Sequence, residues 1–469
     1  MLYALVWNRL ESGNTFQKNR SMNSKSDQRN EPHTDRVPEG GFDNERPTRS
    51  RMVVAFWLCS MAAILYLDRI CWSKAAPSIK AEFNLTNTQL SYLAMAFTLA
   101  YGLFEIPTGR WGELIGARRV LTRITIWWSL FTAMTGAGLG FVSLLIIRFF
   151  FGIGEAGAYP NAARVLTRWF PVHERGRVQG IMLSVSLFGG AIAPALAAVL
   201  IDEVGWRWTF VLFGSVGGIW AAGFWTWFRD TPDEHPRVNL AELSLIRSGG
   251  ATAAPTSHAA VPWRRVLTNP GIFILSMIIM CSSFNSYFYF TWFSSYLESA
   301  HGIGNQKSGL LTSLALFGAA LGVLLGGVIS DRMMRGSLSV VLCRRLFCSG
   351  AYFASAASLF SAVRADSVVG LSSLAALSCF FVQLTLPTWW SSAIEQSGKH
   401  VGPLFGLMNM MGTVGALASQ WFVGVFADWQ VSRSLSGRDQ WDPMFTIYVC
   451  VLITGGICWL LYRKQPIED

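Results

Sequence analysis

The sequence predicts an all-α integral membrane protein with twelve transmembrane helices in two pseudo-symmetric six-helix bundles. Three observations predict it. Of 469 residues, 52% are hydrophobic and only 14% charged, whereas an ordinary soluble domain carries about 25% charge. Apolar segments of the roughly 20 residues needed to cross a bilayer recur twelve times. The basic residues avoid these segments: 28 of the 38 Lys and Arg fall in the connections on one side, seven on the other, and Arg69, Arg123 and Arg148 within spans. That asymmetry is the positive-inside pattern, and it predicts that both termini are cytoplasmic, in an inner or plasma membrane. It also explains the formal net charge of +10 without a nucleic-acid partner.

Residues 1–51 mix both charge signs with Asn, Ser, Pro and Gly and lack apolar periodicity, so a disordered cytoplasmic tail is expected there. Met1 to Trp7 is too short for a signal-peptide core, which leaves targeting to the first span. Six apolar segments near 53–72, 90–108, 120–138, 141–159, 179–201 and 208–228 form a first bundle over 52–228. Residues 229–270, punctuated by Pro232, Pro236, Gly249, Gly250, Pro255 and Pro262, read as a cytoplasmic linker. Six further segments near 271–294, 309–329, 343–363, 367–390, 403–426 and 444–462 form a second bundle over 271–462, followed by a tail at 463–469. The eight cysteines lie in or beside apolar stretches without metal-ligand spacing, and no His/Asp/Glu cluster has it either. No metal or organic cofactor is implied.

The halves echo each other. Gly109-Arg-Trp-Gly-Glu113 follows the second span and Gly327-Val-Ile-Ser-Asp331-Arg332 follows the eighth, each trailed by basic residues (Arg118 and Arg119; Arg332 and Arg335). A glycine with a carboxylate four residues on lets helix ends approach and be latched by charge pairs. Such a duplication is the mark of an alternating-access carrier.

Charges inside a span are costly unless paired or hydrated. Asp68, Arg69, Glu105, Arg148 and Glu155 are such charges. Arg148 and Glu155 are seven residues apart and share one helix face, about 10 Å from each other. Asp68 and Arg69 point about 100° apart, so each must find its partner on another helix. The reading that follows is that Arg148 and Arg69 attract a substrate carboxylate, because a guanidinium fork matches its geometry. Asp68 and Glu155 would carry protons. Buried ion pairs that only fix helix packing are the alternative. Glu105, three residues before Thr108, fits either the latch or the site.

Several motifs resemble the major facilitator superfamily, and within it the anion:cation symporter family of sugar-acid and organic-anion carriers. They are Tyr66-Leu-Asp68-Arg69, Arg148-Phe-Phe-Phe-Gly-Ile-Gly-Glu155-Ala-Gly-Ala-Tyr159-Pro160, Trp169-Phe-Pro-Val-His-Glu-Arg-Gly176, Asp230-Thr-Pro-Asp-Glu-His-Pro236 and Gly406-Leu-Met-Asn409. The resemblance implies the same roles for Asp68, Arg69, Arg148 and Glu155. It also implies that Tyr66, Tyr101, Asn409 and one of Trp389 or Trp390 lie beside the substrate. The chain departs from the family pattern at Glu113-Leu114, where Asp-Arg is usual, at Glu105, where Gln is common, and at Glu395-Gln-Ser-Gly398 after the tenth span.

The spans of the second half hold almost no charge but many neutral polar groups, among them Ser282, Ser283, Asn285, Tyr287, Thr291, Gln383, Thr413 and Gln420. A cationic half facing a neutral polar half suits a hydroxylated organic anion. The expected function is therefore proton-coupled symport of a hexuronate, aldonate or aldarate by a lipid-embedded monomer. A carrier of aromatic or dicarboxylic anions is the alternative. An enzyme would need a nucleophile or metal constellation, and a sensor would need an output domain. Neither is visible.

Overall fold

The computed structural model describes residues 46–248, 263–334, 339–397 and 401–464. With no water in a hydrocarbon core to take backbone hydrogen bonds, long apolar segments satisfy them internally as helices. The described residues accordingly carry twelve spans. The first three are Ser50–Phe83, Asn87–Ile115 and Ala117–Thr135. The fourth is broken, running from Phe141–Glu155 into Ala158–Trp169. Val172–Trp227 is the fifth and sixth spans joined at Gly205, whose φ of 79° interrupts the helix. The second half continues with Pro270–Thr291 extended by Phe293–His301, Asn305–Met334, Val340–Val363, and Val368–Leu384 with Leu386–Ser397. Val401–Ser432 and Gly437–Trp441 with Met444–Leu461 complete it. Large apolar side chains such as Phe56, Leu103, Ile219, Phe273 and Leu310 remain exposed on the outer faces of these helices, as lipid contact requires.

Local sequence sets several helix ends. Thr86 and Gln89 form a reciprocal capping box at the start of the second span (3.1 and 2.9 Å). Asn269 caps the seventh by accepting from the amides of Gly271 and Ile272, with Pro270 in the first turn.

The ends of the expected tail and linker are ordered against one another. Glu242, on a short helix Leu240–Ser248, accepts from the backbone amides of Ser50 and Arg51 (both 3.1 Å) and from the Arg51 guanidinium (3.2 Å). A buried carboxylate at a helix N-terminus meets both the orphan amides and the positive dipole end. Composition could not reveal this, because the partners are about 190 residues apart. The remainder of the tail, 1–45, lies outside the described residues.

The second span packs on the eleventh and the fifth on the eighth. A two-fold relation between halves exchanges these pairs, as a 6+6 duplication demands. The polar bonds that join the halves gather at the face opposite the termini and linker. There Asp428 accepts from the amides of Asn87 (3.1 Å) and Thr88 (2.7 Å) and from both their side chains. Lys74, fully buried, is ion-paired with Glu298 and bonded to Ser294 and Ser308. Asn305 donates to Asp202 and to the Ala198 carbonyl. The bundles are thus clasped on that face.

Candidate functional site: a charged cluster at mid-span

Arg69 lies about 28 Å along the first helix from Ser50, at 1.5 Å per residue, which is near the middle of the span. It donates from Nε (3.0 Å) and Nη2 (2.5 Å) to Oε2 of Glu155 on the fourth span. Glu155 is completely buried, and its Oε1 has no hydrogen-bond partner among the described residues. The local sequence places it there: Glu155 ends its helix, Ala156 is extended, and Gly157 turns with φ +83°. A side chain at Gly157 would meet Thr108 of the second span at 2.3 Å, so only glycine allows the break this close to its neighbour. Pro160 falls in the first turn of the restarted helix, where its missing N–H costs nothing.

Arg148 is about two turns past the start of the same helix and is 3% exposed. Its guanidinium stacks on Trp72, Phe97 and Phe151 at 4.7, 4.9 and 5.0 Å. Its Nε is buried without a hydrogen-bond partner among the described residues. Cation–π contacts contribute about 1–2 kcal/mol each when desolvated, but a ring face leaves most of the fork's five N–H donors unmatched. Arg69 stacks on Tyr66, Phe97 and Tyr101 at 5.3, 5.1 and 4.9 Å. Both guanidiniums therefore share the Phe97 ring, and their central carbons are at most about 10 Å apart by that geometry.

Asp68 diverges from its neighbour. It is buried beside Trp128 and Thr132 of the third span, and neither carboxylate oxygen has a hydrogen-bond partner among the described residues. Arg69 thus finds an ion-pair partner on another helix, whereas Asp68 is in no ion pair among the described residues. Glu105 belongs to this cluster: it is half-buried, one turn beyond Tyr101, within the field of Arg69.

The second half faces the cluster with neutral groups. Tyr287 of the seventh span lies in the field of Arg69. Asn285 is buried, with neither side-chain amide atom partnered among the described residues. Asn409 is half-buried on the eleventh span, where Thr413 abuts Gly102 of the second. Trp389 is a core residue, 1% exposed, and its indole donates to the Leu275 carbonyl (2.8 Å). Of the adjacent pair, Trp390 is the half-buried one.

Of the expected latch, the side chains at Gly109, Glu113 and Asp331 lie outside the described residues. Arg332 is exposed. Arg118 works within the first half: its amide donates to Asp230 (2.9 Å), and its guanidinium donates to the Trp225 carbonyl and stacks on the Trp225 ring. The start of the third helix at Ala117 brings it against the end of the sixth. Glu395, from the altered turn after the tenth span, pairs with Arg344 and Lys464.

Sequence reasoning missed Phe97 and Trp72. Phe97 was accessible, since it lies four residues before Tyr101 on the same helix face. Trp72 needed the packing.

A family model for the Major Facilitator Superfamily matches residues 58–420. A probable sulfoacetate transporter SauU of Cupriavidus necator is 35% identical over 365 residues, covering 77% of this chain and 84% of that one. A probable L-galactonate transporter of Escherichia coli is 26% identical, covering 92% and 94%. The hexuronate transporter of Bacillus subtilis is 27% identical, covering 81% and 89%. Among solved structures, a bacterial homolog of the human lysosomal transporter Spinster superposes with a TM-score of 0.67 over 88% of this chain and 94% of that one, at 18% identity, a likeness of fold alone. With the family match, the twelve-span fold and the paired halves in hand, this chain belongs to the Major Facilitator Superfamily and is a multi-pass membrane transporter, not an enzyme.

Proposed function

We propose that the protein is a proton-coupled symporter of a sugar acid, a hexuronate, aldonate or aldarate, working by alternating access. The observation that carries this reading is Arg148, a guanidinium buried at mid-span with aromatic faces around it and no ion pair among the described residues. A carboxylate supplies the two parallel acceptors such a fork lacks. The neutral amides and hydroxyls opposite, Asn285, Tyr287 and Asn409, suit the hydroxyls of a polyol. The named roles of the Escherichia coli and Bacillus subtilis relatives agree with it.

Proton coupling follows from competition. Glu155 holds Arg69; protonating Glu155 releases the guanidinium for the substrate, and substrate departure restores the pair. Asp68 lies beside Trp128 and Thr132 and is in no ion pair among the described residues, so a proton there breaks none. The positive-inside count supports a cell membrane location with both termini cytoplasmic, and one chain contains the whole cluster, which supports a monomer.

A second reading is a short anion with two acid groups. The 35% identity to the Cupriavidus necator relative favours it.

The test is uptake of labelled glucuronate, galactonate and sulfoacetate into proteoliposomes with acid outside, comparing wild type with Arg148→Ala and Glu155→Gln. Gradient-driven uptake of a sugar acid that falls at least tenfold in Arg148→Ala is the expected result. Uptake of sulfoacetate alone selects the second reading. Both variants transporting as wild type refutes the site.

A further inference from the structure

Three carboxylates, Asp68, Glu105 and Glu155, stand against two guanidiniums in this cluster, and the proposed mechanism uses only two of them. Glu105 is the surplus one. It follows Tyr101 by four residues, so the two share a helix face, and the Tyr101 ring stacks on Arg69 at 4.9 Å. Two donors of the Arg69 fork, Nε and Nη2, are occupied by Glu155. Glu105 is half-buried and only its backbone is engaged among the described residues, its carbonyl accepting from Thr108 Oγ1 (3.3 Å), so its carboxylate is free to meet a ligand. Tyr287 approaches the same place from the second half.

The consequences differ for two kinds of anion. The guanidiniums of Arg148 and Arg69 are at most about 10 Å apart across Phe97, a span that one small molecule can bridge. An anion docked by its acid group on Arg148 brings its far end toward Arg69 and Glu105. An ionised carboxylate is an acceptor only. A hydroxyl at that far end can donate to Glu105, but a second carboxylate or sulfonate offers no proton, and its attraction to the Arg69 that Glu155 releases is offset by the like charge of Glu105 beside it.

Resting on the symport reading above, we propose that Glu105 is a specificity-determining residue, selecting anions with one acid group and a hydroxylated far end and rejecting anions with an acid group at both ends. This narrows the substrate class to hexuronates and aldonates. Glutamine in its place keeps the size, removes the charge and adds two N–H donors, so Glu105→Gln is expected to admit the second acid group. Two like charges about 6 Å apart at an intermediate effective dielectric shift the preference by roughly tenfold to a hundredfold.

The experiment compares uptake of labelled glucuronate with labelled glucarate and sulfoacetate, at one pH, in proteoliposomes of wild type and Glu105→Gln. The expected result is a wild-type preference for glucuronate that falls at least tenfold in Glu105→Gln. An unchanged preference, or a wild type that favours the two-acid anions, overturns the proposal. If Glu105→Gln loses uptake, the same ratio is read from ligand-induced thermal shifts of the purified protein, so the outcome still decides. Wild-type uptake that ignores the proton gradient refutes the symport reading instead, and the binding ratio then judges Glu105 alone.

Discussion

Asp428 is one of the groups that clasp the two bundles, and removing it should weaken that face. Its carboxylate receives four hydrogen bonds from the start of the second span: the amides of Asn87 and Thr88 at 3.1 and 2.7 Å, and their side chains at 2.9 and 2.6 Å. It therefore acts as a helix cap supplied by the opposite bundle, and the contact exists only while the face is closed. A side-chain cap contributes about 1 kcal/mol, a carboxylate at the helix N-terminus about 0.5 kcal/mol, and the two side-chain bonds, which water replaces once the face opens, about 0.5 kcal/mol together. About 2 kcal/mol in all corresponds to a roughly thirtyfold shift of the closed-to-open equilibrium, since 1.4 kcal/mol is tenfold. Asp428→Ala should show it in hydrogen–deuterium exchange of detergent-purified protein. Peptides over 87–95 and 420–430 should exchange about thirtyfold faster, while the Trp57–Trp220–Phe224 aromatic core of the first bundle stays protected. Exchange within twofold of wild type in both peptides would refute the assignment of Asp428 as a clasp.

Two further outcomes test packing and the linker. Added side chains at Gly318, Gly322 and Gly326 of the eighth span would fall 2.4, 2.3 and 2.1 Å from the carbonyls of Ala376, Phe380 and Leu384 on the tenth, so Gly322→Ala should force the backbones apart at a cost of about 1–3 kcal/mol. Gly350, with open space around it, should instead be stabilised as alanine by up to about 1 kcal/mol; equal thermal midpoints for the two variants would contradict this. His235 packs against Trp169 and Trp227 at 5.6 and 4.5 Å, and burial, helped by Arg229 and Arg237, holds its imidazole below the usual range. The folded state thus takes up this proton at lower pH than the unfolded chain. Stability is lost as pH falls below the ordinary histidine value of about 6.5. The thermal midpoint of wild type should drop more between pH 7.5 and 5.5 than that of His235→Phe, and parallel drops would exclude the effect.

What the sequence determined by itself follows from interactions local in the chain or imposed by the solvent. Lipid compels a helix wherever about 20 apolar residues run together, so the helical spans and their grouping into halves were readable. Capping at Thr86 and Asn269 and the helix break at Gly157 depend on neighbours within a few residues. Arg148 and Glu155 could be put on one face because one helix carries both. Tertiary structure decided what depends on distant partners. Arg69 could have paired with any carboxylate in the bundle, and only the packing of the first span against the fourth gave it Glu155. Asp68, its neighbour in the chain, was turned instead toward Trp128 and Thr132 of the third span. The aromatic faces around both guanidiniums come from three helices. Trp389 and Trp390 were indistinguishable in sequence, yet helix rotation buried one against Leu275 and left the other half-buried. Periodicity places a side chain on its own helix, but which neighbour it meets is a property of how the helices are rotated and crossed.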